Sequence, residues 1–287
     1  MKLLTLNTHS WMEPNSKQKM TWLAQHIAAE QYDVIAFQEI NQSRFAPKAP
    51  VKDDPYYFPA KKRPAIHKNN FAFVLQQTLL KMGTAYYWAW FPCHLGYRLY
   101  DEGVAIFSRH PIQEFHGLVI SSKKPYFSQK RRGVAGIEIT NKNERMLFYS
   151  CHLSGWQDEK KNSFLQEWLR LESTLTTLHP DQKIVLLGDF NASANRRGKG
   201  YDWITKVSGW HDTYALAPVP KGKFTFPSYQ TGSIHQKQHP RRIDYILCNY
   251  KPTVLSAEII FDGKDTPLIS DHCGLKVSLD ADALPRF

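Results

Sequence analysis

Short runs of β-branched and apolar residues recur along this chain, separated by polar segments. They have the length and composition of strands at Lys2–Leu6, Asp33–Phe37, Gly103–Phe107, Val134–Thr140, Arg145–Cys151, Lys183–Leu187, Arg242–Cys248 and Gly274–Leu279. Apolar stripes at helical spacing predict helices around Met20 to Ile27 and Phe164 to Leu175, and a third helix over Phe71–Met82. This order predicts two stacked sheets flanked by helices rather than a doubly wound parallel sheet.

The size of the chain is consistent with one folded unit. With 287 residues and 42% hydrophobic content it can bury a sizeable core, so we expect a single domain over residues 1–287. The start of the chain reads as a strand without the features of a secretory signal. No window approaches the roughly 20 uninterrupted apolar residues of a membrane span. The four cysteines are scattered, which is typical of reduced, buried thiols, and we expect a cytoplasmic protein with no membrane partner.

The charge balance favours an anionic partner. The formal net charge is +11 at pH 7, and the basic residues form short groups such as Lys130-Arg131-Arg132 rather than a long tail. Charge alone does not choose among nucleic acid, lipid and small phosphorylated metabolites. Nucleic acid is therefore neither expected nor excluded, and no obligate protein partner is evident.

Polar residues follow where apolar strands are predicted to end. Leu3–Leu6 runs into Asn7, Val34–Phe37 runs into Gln38-Glu39, and Ile184–Leu187 runs into Gly188-Asp189-Phe190-Asn191. Strand ends are rigid platforms on which a site can be preorganised. Mg²⁺ is held by carboxylates and other oxygen ligands. Glu39, Asp189, Asn191 and Asp271 supply ligands of this kind.

Two histidines follow the same rule, because His152 comes after a strand and His272 lies just ahead of the last one. Each has candidate carboxylate partners, which a catalytic imidazole needs to fix its tautomer. Competing phosphatase chemistries lack their motifs. No cysteine is followed by arginine at the sixth position, Arg109-His110-Pro111 lacks the glycine of a histidine phosphatase, and there is no Walker loop. Among these phosphatase chemistries, metal-assisted attack of water on the phosphate ester is the one that remains.

Seven ordered motifs resemble the endonuclease/exonuclease/phosphatase superfamily over nearly the whole chain. They are Leu-Asn7-Thr-His, Gln-Glu39-Ile, Tyr100-Asp-Glu102-Gly, Ser-Cys-His152-Leu, Gly-Asp189-Phe-Asn191-Ala, Arg-Ile-Asp244-Tyr and Ser-Asp271-His272. The resemblance implies an α+β fold, the DNase I-like four-layer αββα sandwich. It also implies a Mg²⁺ site, in which Mn²⁺ is possible, at one edge of the sheets.

The same resemblance assigns metal and water roles. Glu39 is similar to the principal metal ligand, with Asn7 and Asp271 on the metal or its waters. Asp189 and Asn191 match the pair that positions the attacking water and contacts the scissile phosphate. One metal or two is left open.

For the imidazoles, the resemblance implies that His272 is a general base or phosphate-binding group oriented by Asp244. His152 is similar to a second imidazole that binds phosphate or helps the leaving group, with Glu102 as its partner. The division of roles between the two histidines is left open.

Substrate contacts are implied at several further positions. Tyr100 and Arg132 fall near positions where the family places phosphate contacts. Arg131 fits the second of these positions as well as Arg132 does. The loops resemble a bacterial branch that acts on sugar phosphates such as maltose 6'-phosphate. Aromatic side chains near the catalytic positions suit the face of a sugar ring: Trp11, Tyr97 and Trp156.

We therefore expect a metal-dependent phosphomonoesterase acting on a small phosphorylated substrate, most simply a sugar phosphate. The alternative is a phosphodiesterase, either a nuclease or a sphingomyelinase-like lipid hydrolase. A non-catalytic scaffold of the same fold is disfavoured because every expected acidic, amide and histidine position is filled.

Overall fold

Two six-stranded mixed sheets form the centre of the computed structural model, which describes residues 1–60, 64–157, 162–227 and 239–280. Its strands, numbered in chain order, are β1 Lys2–Asn7, β2 Val34–Ser43, β3 Tyr87–Gly96, β4 Tyr100–Ser108, β5 Glu114–Val119, β6 Gly133–Asn141, β7 Glu144–His152, β8 Lys183–Asp189, β9 His211–Asp212, β10 Asp244–Cys248, β11 Val254–Ile260 and β12 Gly274–Leu279. The first sheet has the order β11-β12-β1-β2-β4-β3, and the second β5-β6-β7-β8-β10-β9.

Helices cover the outer face of each sheet. The longer ones are α1 Ser16–Glu30, α2 Phe71–Lys81 and α3 Ser163–Leu178, followed by the short α4 Gly200–Asp202 and α5 Thr213–Leu216. The side chains of Asn70 and Asn162 accept hydrogen bonds from backbone N–H groups in the first turns of α2 and α3, which fixes where these helices begin. One apolar cluster packs α1 and α2 on the first sheet, and another packs α3 on the second.

Alternation along the strands divides the apolar residues between these layers. In β1, Leu3 belongs to the core between the sheets and Leu4 to the core under the helices. Val34 and Ile35 of β2 divide in the same way. Successive side chains of a strand point to opposite faces, so strands buried on both sides read as continuous apolar runs. The predicted four-layer αββα sandwich is confirmed.

The structure also contains strands that the pattern did not indicate: β3, β5, β9 and β11. β3 is buried on both faces and contains Pro92, so it shows no alternation and lacks a β-branched run. β5 and β11 are half-exposed, with mixed composition. The prediction that the second strand ends at Phe37 was wrong, because β2 continues to Ser43 through a bulge between Phe37 and Ile40.

All four cysteines are free and buried, as expected. Among the residues described, no helix is long and apolar enough to cross a bilayer.

Candidate active site

The predicted catalytic residues lie at one edge of the sandwich, where strands of both sheets end. Asp189 closes β8, and its register partners are His152 at the end of β7 and Asp244 at the start of β10. From the other sheet, Asn7 at the end of β1 donates from Nδ2 to Asp189 Oδ2 over 3.2 Å. The site is therefore assembled from both sheets by strand register.

Two local features of the backbone allow this convergence. A Cβ atom on Gly188 would lie 1.9 Å from the carbonyl oxygen of Cys151, so β8 approaches β7 this closely only with glycine before Asp189. Glu39 and Asn191 have φ angles of 58° and 49°, in the left-handed region that non-glycine residues seldom adopt. Such strain is concentrated at functional sites.

Asn7 links two of the acidic groups. Its Nδ2 donates to Glu39 Oε1 over 2.9 Å as well as to Asp189. Its Oδ1 accepts from the backbone N–H of His9 over 3.2 Å, which fixes the orientation of the amide. Asn7 therefore holds the Glu39 carboxylate beside that of Asp189.

The chemistry around Glu39 suits a hard divalent cation. Burial raises the pKa of Glu39, and the nearby charge of Glu102 raises it further. Carboxylate oxygens that crowd together in this way are the ligands that Mg²⁺ prefers, since a cation relieves their repulsion. Asn7 and Glu39 are the residues here that would hold it, with Asp271 as the predicted third ligand.

Asp271 also belongs to a second group that sequence reasoning missed. Its Oδ1 lies 3.9 Å from Nδ1 of His9, which in turn lies 2.8 Å from Oε1 of Glu13. Lys19 Nζ donates to Glu13 Oε2 over 2.5 Å. The contact with Glu13 raises the pKa of His9 to about 9 against the opposing effect of burial. His9 lies two residues beyond Asn7, and that adjacency was the available signal.

On one side of Asp189 lies His272. Its Nδ1 donates to Asp244 Oδ2 over 3.0 Å, and its Nε2 is 3.7 Å from Asp189 Oδ2. Burial acts to lower the pKa of His272, but the charges of Asp244 and Asp189 prevail and raise it to about 10. The raised pKa favours the imidazolium form of this ring at neutral pH, and its Nδ1–H faces Asp244, the predicted orienting residue.

On the other side lies His152, with its Nε2 3.8 Å from the same oxygen of Asp189. Burial lowers the pKa of His152 well below its usual value, and the positive charges of Arg132 and His272 add to the effect. This ring is neutral. Between the two imidazoles, burial and the charge of Asp244 raise the pKa of Asp189.

Asn191 is fixed beside Asp189 by two hydrogen bonds. Its backbone N–H donates to Asp189 Oδ1 over 2.8 Å, and its Nδ2 donates to the carbonyl oxygen of Leu153 over 3.0 Å. The amide oxygen takes no part in these bonds. The pair predicted to position water and phosphate is thus in contact in the structure.

The Glu102 carboxylate faces an imidazole that the sequence did not single out. Glu102 was predicted to be the partner of His152, but its Oε1 lies 3.3 Å from Nε2 of His94 on the neighbouring strand. Glu102, His94 and His152 line one pocket together with Arg132. Tyr100 opens the strand that carries Glu102 and is half-buried.

The two candidate arginines occupy different environments. Arg131 is 9% exposed, donates from Nη1 to the carbonyl oxygen of Cys93 and stacks its guanidinium over Tyr126. Arg132 lines the pocket beside His152. The geometry favours Arg132 as the phosphate contact.

Comparison with known proteins agrees with this geometry. The family model described as "Endonuclease/Exonuclease/phosphatase family" matches residues 13–272. The chain belongs to this family. Members of the endonuclease/exonuclease/phosphatase family are hydrolases, so the chain is a hydrolase of that superfamily.

Solved structures of family proteins extend the comparison. An endonuclease/exonuclease/phosphatase family protein from Leptotrichia buccalis C-1013-b is 31% identical, with a TM-score of 0.83, covering 98% of this chain and 99% of that one. A mannosyl-6-phosphatase from Bacteroides thetaiotaomicron is 17% identical, with a TM-score of 0.66 and coverage of 98% and 99%. Beta toxin from Staphylococcus aureus, with bound magnesium ions, is 15% identical, with a TM-score of 0.66 and coverage of 97% and 99%. No curated protein matches the sequence.

The three aromatic residues predicted to contact a sugar differ in their exposure to solvent. Tyr97 is 71% exposed at the tip of the turn between β3 and β4. Trp11 donates from Nε1 to the carbonyl oxygen of Asn69 over 2.7 Å and packs edge-on against Phe71. Trp156 packs against Phe164 with ring centroids 5.7 Å apart. Tyr97 is the most accessible of the three.

A further residue of the site came from a segment with no clear sequence pattern. Thr225 is fully buried, and its Oγ1 accepts from the backbone N–H groups of Ile243 and Asp244 over 3.0 and 3.1 Å. Its carbonyl oxygen accepts from the N–H of Cys273, next to His272. Thr225 thus ties together the backbones that carry the Asp244–His272 pair.

Proposed function

We propose that this protein is a magnesium-dependent phosphomonoesterase that hydrolyses a sugar phosphate by in-line attack of water. The observation that carries the proposal is Asp189, whose Oδ2 lies 3.7 Å from the imidazolium of His272 and 3.8 Å from the neutral imidazole of His152. A buried carboxyl with a raised pKa is suited to accept a proton from a positioned water. The flanking rings are placed to contact the phosphoryl group.

Each of these residues has one task in the proposed reaction. Asp189 orients the water and takes its proton, while the amide of Asn191 positions the phosphoryl group beside it. The His272 imidazolium and the Arg132 guanidinium neutralise charge on the phosphoryl oxygens. His152 faces the ester oxygen of the leaving group and can donate a hydrogen bond to it, and the departing oxygen takes its proton from solvent water. A bound divalent cation at Asn7, Glu39 and Asp271 would add to the neutralisation of that charge.

The charge around the mouth of the site supports a dianionic monoester. The three segments at 43–48, 95–100 and 121–132 carry basic side chains and no acidic one. They are adjacent, because the N–H of Arg44 donates to the carbonyl oxygen of Leu99, and that of Leu95 donates to Tyr126. A basic rim concentrates anionic substrates near the site. The exposed ring of Tyr97 on this rim suits the face of a sugar.

One structural neighbour supports a sugar phosphate as the substrate class in this proposal, since it is described as a mannosyl-6-phosphatase. The free, buried cysteines support a reducing compartment, and we include in the proposal a cytoplasmic enzyme that acts on a small phosphorylated substrate without an obligate protein partner.

Hydrolysis of phosphodiesters is the second candidate. The same rim exposes Phe45 and Phe127, with 78% and 71% of their surface accessible. Exposed aromatic rings among basic side chains are suited to stacking on nucleic-acid bases. The structural neighbours also include beta toxin and the truncated TDP2 of Caenorhabditis elegans.

The test is substrate turnover with and without metal. Phosphate release from maltose 6'-phosphate and glucose 6-phosphate, headgroup release from a phospholipid diester and nicking of plasmid DNA would each be measured with Mg²⁺, with Mn²⁺ and with EDTA. We expect metal-dependent release from the sugar phosphates, abolished by EDTA and by Glu39→Ala. Nicking of plasmid or cleavage of the lipid diester without turnover of the monoesters would overturn the proposal in favour of a diesterase.

A further inference from the structure

A small pocket adjoins the catalytic cluster between the two sheets, with room for about one water-sized group. Strands β3 and β4 supply one wall with His94 and Glu102, and the second sheet supplies the other with Arg132 and His152. The roles proposed above place His152 on the leaving-group side of the phosphorus, so this pocket lies where the leaving group begins.

A β-bulge brings His94 to the pocket. The register of β3 against β4 shifts between Pro92 and His94, so that Gly103 lies opposite Pro92 and Glu102 lies opposite His94. A Cβ atom on Gly103 would lie 2.0 Å from the carbonyl oxygen of Phe91, so the strands come this close only with glycine there. Bulges commonly redirect a side chain next to an active site.

His94 presents an unused acceptor. The residue is 5% exposed, and its Nε2 faces the Glu102 carboxylate at 3.3 Å. A carboxylate at that distance favours the proton on Nε2, which leaves Nδ1 as an acceptor in the neutral ring. Nδ1 is buried and has no hydrogen-bond partner among the described residues. Buried polar atoms are rarely left in this state without a ligand or water.

Arg132 presents the complementary donor. Its Nε is also buried and has no hydrogen-bond partner in the described parts of the chain. A guanidinium nitrogen can only donate. Two residues that line the pocket therefore each have an unused polar atom: Nδ1 of His94, which can accept, and Nε of Arg132, which donates. A hydroxyl group donates one hydrogen bond and accepts another, whereas a phosphoryl oxygen of a dianion only accepts and an aromatic ring does neither.

We infer that His94 is a specificity-determining residue that binds a hydroxyl group of the substrate's leaving group, with Arg132 as the opposing donor. The inference rests on the proposed phosphomonoesterase function and makes it more specific. The preferred leaving group is a polyol with a hydroxyl close to the ester oxygen, and the enzyme discriminates against esters that have none. Sites built to bind a substrate hydroxyl reject analogues lacking it because their buried polar groups are then unpaired.

The experiment compares two esters in the wild-type protein and in three variants of His94. Maltose 6'-phosphate carries hydroxyl groups near the ester, and phenyl phosphate carries none. His94→Phe removes both ring nitrogens. His94→Asn keeps a polar atom near the position of Nδ1, and His94→Gln keeps one near the position of Nε2. His116→Phe is the matched control, because His116 also has a buried nitrogen with no hydrogen-bond partner among the described residues but packs against Tyr149 and His179 on the outer side of the second sheet.

We expect His94→Phe to lower kcat/KM for maltose 6'-phosphate by about 10-fold, as for a lost buried hydrogen bond, and to have a several-fold smaller effect on phenyl phosphate. His94→Asn should recover most of the loss and His94→Gln little of it. The change should appear mainly in KM. His116→Phe should leave both rates as in the wild type.

Three results would count against the inference. Equal losses on both esters would mean that His94 acts through Glu102 or through folding, which circular dichroism and the melting temperature would show. Recovery by Gln rather than Asn would place the essential contact at Nε2. Unchanged rates in His94→Phe would remove His94 from the site. A wild-type protein that hydrolyses no sugar phosphate would instead overturn the proposed function itself.

Discussion

The two sides of Asp189 hold the same kind of side chain in opposite charge states. His272 and His152 lie 3.7 and 3.8 Å from the same carboxylate oxygen, and both are buried. His272 has a second carboxylate, Asp244, at 3.0 Å on its far nitrogen, and its pKa is raised to about 10. Burial lowers the pKa of His152, and the nearby Arg132 cation lowers it further. Two carboxylates outweigh burial at His272, whereas burial and a nearby cation act in the same direction at His152.

This difference gives the site an internal division of labour. A protonated ring is suited to hold a phosphoryl oxygen, whereas a neutral ring can donate one hydrogen bond and accept another. Paired titratable groups whose environments drive their pKa values apart are common in acid–base catalysis. The predictions below test that division, in order of decreasing expected effect.

The largest effect should come from the group between the two rings. Asp189→Asn removes the proton acceptor and should lower kcat by roughly 1000-fold. Steady-state phosphate release measures it. The amide is nearly isosteric, so the melting temperature should change little; a rate within 10-fold of wild type would show that another group accepts the proton of the water.

Asp244→Asn should then change the charge state of His272 alone. Without the second carboxylate, the pKa of His272 should fall, and kcat/KM should drop by about 100-fold because the imidazolium contact with phosphate is weakened. NMR titration of the His272 ring measures the first effect and kinetics the second. A His272 ring that still titrates near pH 10 in the variant would mean that Asp244 is not the source of the shift.

The adjacent arginines offer a matched pair for the His152 side. Arg132→Gln should raise the pKa of His152, because a nearby cation is removed, and lower kcat/KM by about 10-fold. Arg131→Gln should instead lower the melting temperature by on the order of a few degrees, since it loses its contact with the carbonyl oxygen of Cys93. Both variants would be assayed for activity and thermal unfolding; the reverse assignment of effects would identify Arg131 as the phosphate contact.

The smallest expected effect is on stability against pH in the metal-free protein. His272 has its pKa raised from 6.5 to about 10, so its contribution to stability is complete below pH 6.5 and is lost as the pH rises through 10. His152 has its pKa lowered, so stability falls as the pH drops below 6.5, where only the unfolded chain takes up the proton. The melting temperature would be measured across this pH range. In His272→Gln it should no longer fall at alkaline pH, and in His152→Gln it should no longer fall at acid pH. Parallel curves in all three proteins would refute the opposite charge states.

Much of the site was predictable because the polar residues directly follow apolar strand segments. Asn7, His152 and Asp189 are each the last residue of their strand, as the pattern indicated to within a residue or two. Glu39 was harder to place, since it lies on a bulge inside a longer strand. β3 was missed because a strand buried on both faces and containing proline shows no period-two pattern.

The chain's sequence by itself determined the layered α+β class, the carboxylate, amide and imidazole groups available for catalysis, and the basic character of the surface. These follow from local periodicity and composition, which depend on neighbours in the chain. Only the tertiary structure decided that His94 faces Glu102, that Arg132 and not Arg131 lines the pocket, and that His272 and His152 differ in charge. Those outcomes depend on register shifts, burial and charges from strands distant in sequence, which no local pattern encodes.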